Sequence, residues 1–177
     1  MRDEAVNRVR LVFTLFDADG NGVLESDDFD LMSGRVAAAV PGADEARKQA
    51  MQDGFRSYWH TLAGEADADG DGRITYDEYR ACVLSPERFS GAIEEFAAGF
   101  ARLGDLDGSG TVARPAFTGM LRGVGFELPN ILALFEALGP DDADRIDVAA
   151  WEAEIRNFYA PDQGGIPADL LAPAPTT

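Results

Sequence analysis

Residues 67–78 read D-A-D-G-D-G-R-I-T-Y-D-E, a dodecamer in which oxygen-bearing side chains recur at a fixed spacing. Asp67, Asp69 and Asp71 hold positions 1, 3 and 5, so alternate side chains can turn onto one point. Gly72 at position 6 permits the sharp bend that brings the second half of the loop around. Arg73 at position 7 has only to offer its carbonyl. Thr75 at position 9 can ligate through a water, and Glu78 at position 12 can close the shell with two carboxylate oxygens. Hard oxygen donors in this number suit calcium rather than zinc or iron. Six matched constraints in twelve residues make a solvated acidic turn a poor alternative.

A second copy lies upstream. Residues 17–28 read D-A-D-G-N-G-V-L-E-S-D-D, which places Asp17, Asp19, Asn21, Gly22, the Val23 carbonyl and Glu25 in the same roles. Both stretches carry the loop signature of an EF-hand. Position 12 of the upstream copy is Asp28, one methylene shorter than Glu, so bidentate closure is harder. Magnesium takes a smaller octahedral shell with single carboxylate contacts, and magnesium competition is therefore expected at this loop.

Two further registers repeat the pattern in decayed form. Residues 105–116 keep Asp105, Asp107, Ser109, Gly110 and a Thr111 carbonyl, but carry Ala113 at position 9 and Ala116 at position 12. That set predicts weak or no calcium binding at micromolar calcium, with a third ion only at high concentration. Residues 139–150 keep Asp141 and Asp147 and lose both ends to Gly139 and Ala150, so no ion is expected there. Apolar positions support this fourth register: position 8 is Leu24, Ile74, Val112 and Ile146, and position 13 is Phe29, Tyr79, Phe117 and Trp151. Branched residues at position 8 predict a short antiparallel pairing between neighbouring loops.

Three-to-four spacing of apolar residues marks helices on either side of each loop. Val6, Val9, Phe13 and Phe16 enter the first; Phe55, Tyr58, Trp59 and Leu62 the second; Phe89, Ile93, Phe96 and Phe100 the third; Leu128, Ile131, Leu132 and Phe135 the fourth. The fold expected is all-α: four helix–loop–helix units in two pairs, spanning 1–84 and 85–160, then an irregular tail over 161–177. Loop starts at 17, 67, 105 and 139 leave gaps of 50, 38 and 34 residues, so the first gap must lengthen its helices or their connection. Pro86 stands in the short joint 84–87 and argues against one continuous helix between the pairs, which favours one compact body over a dumbbell. Pro115 falls near a helix start, where a missing N–H is tolerated. In the tail, Ile166, Leu170 and Leu171 are expected to pack on the body, and the last residues are expected to be mobile.

The chain has 177 residues and is 46% hydrophobic, with 11 Phe and 2 Trp, enough for a sizeable core. Asp and Glu total 32 against 15 basic residues, a formal net charge of −17. Nucleic acid and anionic membrane surfaces would be repelled, whereas divalent cations and basic helices would not. One cysteine, Cys82, permits no internal disulfide and reads as a small buried hydrophobe. With neither a signal-peptide core nor a membrane-length apolar stretch, a monomeric cytoplasmic protein is expected. Fourteen Arg against one Lys suggest a GC-rich, bacterial source.

Four such units, a widened first gap and a compact joint resemble the sarcoplasmic calcium-binding protein, calexcitin and calerythrin group. The stretch I-R-N-F-Y at 155–159, followed by an irregular tail with Leu170 and Leu171, resembles that group's bacterial member. The resemblance implies calcium buffering or signalling. It departs from the bacterial member in which loops survive: here the second is intact and the fourth has decayed. Two functions compete. A buffer's output is bound calcium; a sensor exposes an apolar groove to a protein target. Four Met among many aromatics favour the buffer, since sensor grooves tend to be Met-rich. No nucleophile–base pairing or phosphate-binding loop argues for an enzyme, and His60 reads as a structural or surface residue.

Overall fold

The computed structural model describes residues 2–172. Among the described residues eight α-helices occur in order: α1 Asp3–Phe16, α2 Ser26–Ala39, α3 Glu45–Ala66, α4 Tyr76–Val83, α5 Pro86–Leu103, α6 Arg114–Val124, α7 Leu128–Ala137 and α8 Val148–Tyr159. Two three-residue strands, β1 Thr111–Ala113 and β2 Arg145–Asp147, pair antiparallel with Val112 opposite Ile146. In the N-terminal half, Leu24 and Ile74 exchange both backbone hydrogen bonds at 2.9 Å in a single antiparallel bridge. The position-8 residues thus pair as expected, loop one with two and loop three with four. All four of these side chains are fully buried.

Helix boundaries follow local chemistry. Asp44 caps α3 by accepting from the Arg47 N–H at 2.8 Å, and Asp147 caps α8 by accepting from Ala150 N–H at 2.9 Å. Proline occupies the first turn of α5, α6 and α7, where its lost donor costs nothing. The α6 helix ends at Gly125, whose φ of +113° lets Gly125 and Phe126 both donate to the Leu121 carbonyl. The widened first gap is absorbed by α2, by the 40–44 connection and by the 22 residues of α3.

The two pairs share one core. Phe55 on α3 meets Phe96 on α5 edge-to-face at 5.0 Å, and Tyr58 meets Phe89 at 4.8 Å. The same helices approach closely at Gly99, where an added Cβ would lie 2.7 Å from the Ala50 carbonyl oxygen. The position-13 residues Phe29, Tyr79, Phe117 and Trp151 are all buried. In α7 the burial departs from expectation: Leu128 is exposed, and Leu134 joins Ile131 and Phe135 inside. Leu128 falls at the helix start, before the inward face is established.

The tail is more ordered than expected, with a 3-10 turn at Pro167–Leu171. Leu171 and Ala168 are buried and Ile166 packs on the core, while Leu170 faces outward. The mobility expected of the last residues concerns 173–177, outside the described residues. Arg8, which nothing local marks as buried, anchors this tail. It is fully buried and donates to the carbonyls of Phe158 at 2.7 Å, Ala160 at 3.1 Å and Gln163 at 3.2 Å, and to the Asp169 carboxylate. Beside it the buried Glu154 accepts from the Ala168 N–H at 2.7 Å.

Candidate metal centre

In the second loop the left-handed turns at Gly70 and Gly72, with φ of +72° and +77°, fold Asp67 back over its own backbone. Asp67 accepts from Gly70 N–H at 2.7 Å and from Gly72 N–H at 3.0 Å, and Asp71 accepts from Arg73 N–H at 2.8 Å. These bonds hold the acidic side chains in place without using all their lone pairs. One carboxylate oxygen from each of Asp67, Asp69 and Asp71 lies within 4.8 Å of the others. Such a like-charge cluster is unfavourable by itself and fits a divalent cation. Glu78 stands outside that cluster: its Oε2 accepts from the Thr75 N–H at 2.9 Å and from the Thr75 hydroxyl at 2.8 Å, a capping box that opens α4. Those bonds hold the Glu78 carboxyl below its ordinary pKa.

The first loop uses the same backbone with a different closure. Asp17 accepts from Asn21 N–H at 3.0 Å and Gly22 N–H at 2.9 Å, with Gly20 and Gly22 again left-handed. Here the cluster is Asp17, Asp19 and Asp28, whose oxygens lie within 4.8 Å of one another. Asp28 is buried and bridges the loop, accepting from Ala18 N–H at 3.0 Å and Glu25 N–H at 2.9 Å. Burial pushes its pKa up, only partly offset by those two backbone donors. Asn21 and Glu25 are tied together instead, Nδ2 to Oε2 at 3.0 Å. The Arg73 side chain, expected to be free, reaches across to Glu25 at 3.3 Å.

The decayed loops differ from each other. The third keeps the backbone bend: Gly108 and Gly110 are left-handed, and Asp105 accepts from Gly110 N–H at 3.1 Å. The Arg145 guanidinium, from β2, lies on Asp107, Ser109 and Thr111. The fourth has tightened into a hairpin turn in which Asp141 N–H donates to the Arg145 carbonyl at 2.8 Å. Asp141 Oδ1 accepts from both the Ala143 and Arg145 N–H groups, and Asp144 holds the left-handed position 6 at φ +61° without glycine. Asp144 and Glu136 are bound by Arg114, at 2.6 Å and 2.7 Å.

Comparison with known proteins agrees with this geometry. The model of the EF hand family matches residues 64–84, the second loop and its flanks. A sarcoplasmic calcium-binding protein of Penaeus sp. (alpha-B and -A chains) is 31% identical over 118 residues, covering 60% of this chain and 60% of the relative. Calerythrin of Saccharopolyspora erythraea is 33% identical over 76 residues, 42% of this chain and 43% of calerythrin. The alignments therefore span less than two thirds of these relatives. The solved structure of a Streptomyces coelicolor calcium-binding protein, described in terms of prokaryotic calcium-mediated regulation, superposes with a TM-score of 0.73. It is 27% identical, covering 90% of this chain and 99% of that one.

Proposed function

The chain is an EF-hand protein related to the sarcoplasmic calcium-binding proteins, to calerythrin and to the Streptomyces calcium-binding protein, and we propose on that footing that its two intact loops are calcium sites of a cytoplasmic buffer. The observation that carries the reading is the convergence of Asp67, Asp69 and Asp71, matched by Asp17, Asp19 and Asp28. In the second loop the ligands would be those three carboxylates, the Arg73 carbonyl, Thr75 through a water and Glu78. In the first they would be Asp17, Asp19, Asn21, the Val23 carbonyl, Glu25 and Asp28. Bound calcium supplies the positive charge that each cluster lacks, and Glu78 must leave part of its bonding to Thr75 to contribute. The shorter Asp28, already drawn into the loop, suits the smaller shell of magnesium.

Burial supports buffering over sensing. The apolar space between α1, α5, α6 and α8 is a cavity of about 50 Å³, partly lined by Ala168 and Leu171 of the tail. Its buried rings are already partnered, Phe96 stacking on Phe100, Phe100 meeting Trp151, and Phe158 packing on Tyr159, rather than forming an adaptable surface. A sensor acting on a protein target is the second reading, favoured by the regulatory role described for the Streptomyces relative. No helix among the described residues is long and apolar enough to cross a membrane. Binding without catalysis, by a monomer, is the activity proposed.

Calorimetric calcium titration with and without magnesium tests the reading. Two sites are expected, the weaker in magnesium being the first loop. Apolar-dye fluorescence in the same titration separates the functions: a large calcium-dependent rise would replace the buffer with the sensor.

A further inference from the structure

The third loop retains more of a cation site than the alanines at its positions 9 and 12 suggest, and it is partly filled. Arg145 sits at position 7 of the fourth loop, on β2, directly opposite Ala113 of β1. Its Nη1 donates to Asp107 Oδ2 at 2.9 Å, Ser109 Oγ at 3.1 Å and Thr111 Oγ1 at 3.0 Å. Three oxygens from loop positions 3, 5 and 7 thus converge on one cationic nitrogen. Position 1 is Asp105, only 9% exposed. Its Oδ2 accepts from Gly110 N–H, as the position-1 aspartates of the first two loops accept from Gly22 and Gly72. Its Oδ1 is buried with no hydrogen-bond partner among the described residues. A buried polar atom left without a partner is costly, and a cation held in the loop is the partner this position lacks.

We propose that Arg145 is a tethered cation that stands in the third loop in place of calcium and excludes a divalent ion for which Asp105 and Asp107 still form the core of a site. The charge count agrees. The first and second loops each offer four carboxylates in the ligand positions, Asp17, Asp19, Glu25 and Asp28 against Asp67, Asp69, Asp71 and Glu78, and each suits a doubly charged ion. The third offers two, and one guanidinium neutralises half of that charge.

The N-terminal pair contains the corresponding arginine and shows why it does not block there. Arg73 is likewise position 7 of the second unit in its pair and likewise crosses to the first unit, but makes one contact, to Glu25 at the rim. Asp17, Asp19 and Asp28 remain gathered without it. The same side chain at the same register is therefore a rim contact in one pair and the loop's own cation in the other. A consequence is that calcium must compete with Arg145 to enter the third loop.

The proposal rests on the reading of loops 17–28 and 67–78 as the calcium sites, and calorimetric titration of the full chain separates the two. Wild type is expected to show two sites at micromolar calcium. Arg145→Met, which keeps an unbranched apolar stem and removes the guanidinium with its charge, should add a third with a Kd on the order of 10⁻⁴–10⁻³ M, the range of weak calcium modules. In an Ala116→Glu background, which restores the position-12 carboxylate, Arg145→Met should tighten the third site at least about tenfold. Equal third-site affinity with Arg or Met at 145 would overturn the proposal, whereas a wild-type chain without sites would overturn the earlier reading. Should Arg145→Met fail to fold, Ala116→Glu alone decides. Calcium must then displace Arg145, moving its Nε–H resonance, and tight third-site binding with that resonance unmoved would refute the exclusion.

Discussion

Arg8 and Asp169, 161 positions apart, form an ion pair that fastens the first helix to the C-terminal 3-10 turn. The guanidinium is fully buried and also takes up carbonyls at the end of α8, so the tail is part of the folded body.

Asp169→Ala should destabilise the protein by about 3 kcal/mol. The cost of stranding a buried charge is roughly 3–5 kcal/mol, and the lower end applies because Asp169 is partly exposed. The double change Arg8→Met, Asp169→Leu should cost less than Asp169→Ala alone, since no unpaired charge remains. Urea unfolding midpoints at constant slope read both. Equal losses in the two variants would mean that packing, not charge, holds the tail.

Acidification should empty the first loop before the second. Burial raises the Asp28 carboxyl above its usual pKa of 3.8, while Thr75 lowers the Glu78 carboxyl below its usual 4.5. A raised carboxyl takes up its proton sooner as pH falls, and calcium requires the deprotonated form. In the calcium-free protein the sign for stability is also fixed: ionised Asp28 opposes folding, so its contribution is most favourable below pH 3.8 and is lost as pH rises through its raised folded pKa. Calcium titrations at about pH 7 and about pH 5 should show the larger affinity loss at the first site. Simultaneous weakening of both would count against the role of Asp28.

Glu78→Gln should cripple the second site and leave the first. The amide loses a charge and one of two ligating oxygens in a shell of about six to eight. It can still accept from the Thr75 N–H, so α4 should keep its start. Calcium affinity unchanged at that site would remove Glu78 from the ligand set. With both wild-type sites filled, calcium at a thousandfold excess over Kd should stabilise by about 4 kcal/mol per site.

What was legible in the chain is what lies close together in it. The clusters Asp67–Asp69–Asp71 and Asp17–Asp19 each come from one dodecamer, and the position-8 residues announced the Leu24–Ile74 and Val112–Ile146 pairings. The arginines were not legible. Arg8, Arg114 and Arg145 look like solvated charges locally, and their partners stand 161, 30 and 38 residues away. Asp144 also hid the fourth loop's bend, because a left-handed position 6 normally reads as glycine. Leu170 and Leu171 show the limit of an apolar cluster as a signal: only the second faces the core.

Two glycines on α5 should respond oppositely to alanine. At Gly99 the added methyl would meet the Ala50 carbonyl oxygen at 2.7 Å and Met51 Cα at 3.2 Å, all backbone, so α3 and α5 must separate. Overpacking of this kind costs roughly 1–3 kcal/mol, and it would loosen the Phe55–Phe96 contact that joins the two pairs. At Gly91, exposed on the same helix, nothing lies within 4 Å of the added Cβ. There the gain in helix propensity, about 0.5–1 kcal/mol, should raise stability. Calcium-saturated thermal melts compare the two directly. If Gly99→Ala melts with wild type while Gly91→Ala rises, the α3–α5 approach tolerates a methyl, and the two loop pairs are joined less tightly than their shared rings imply.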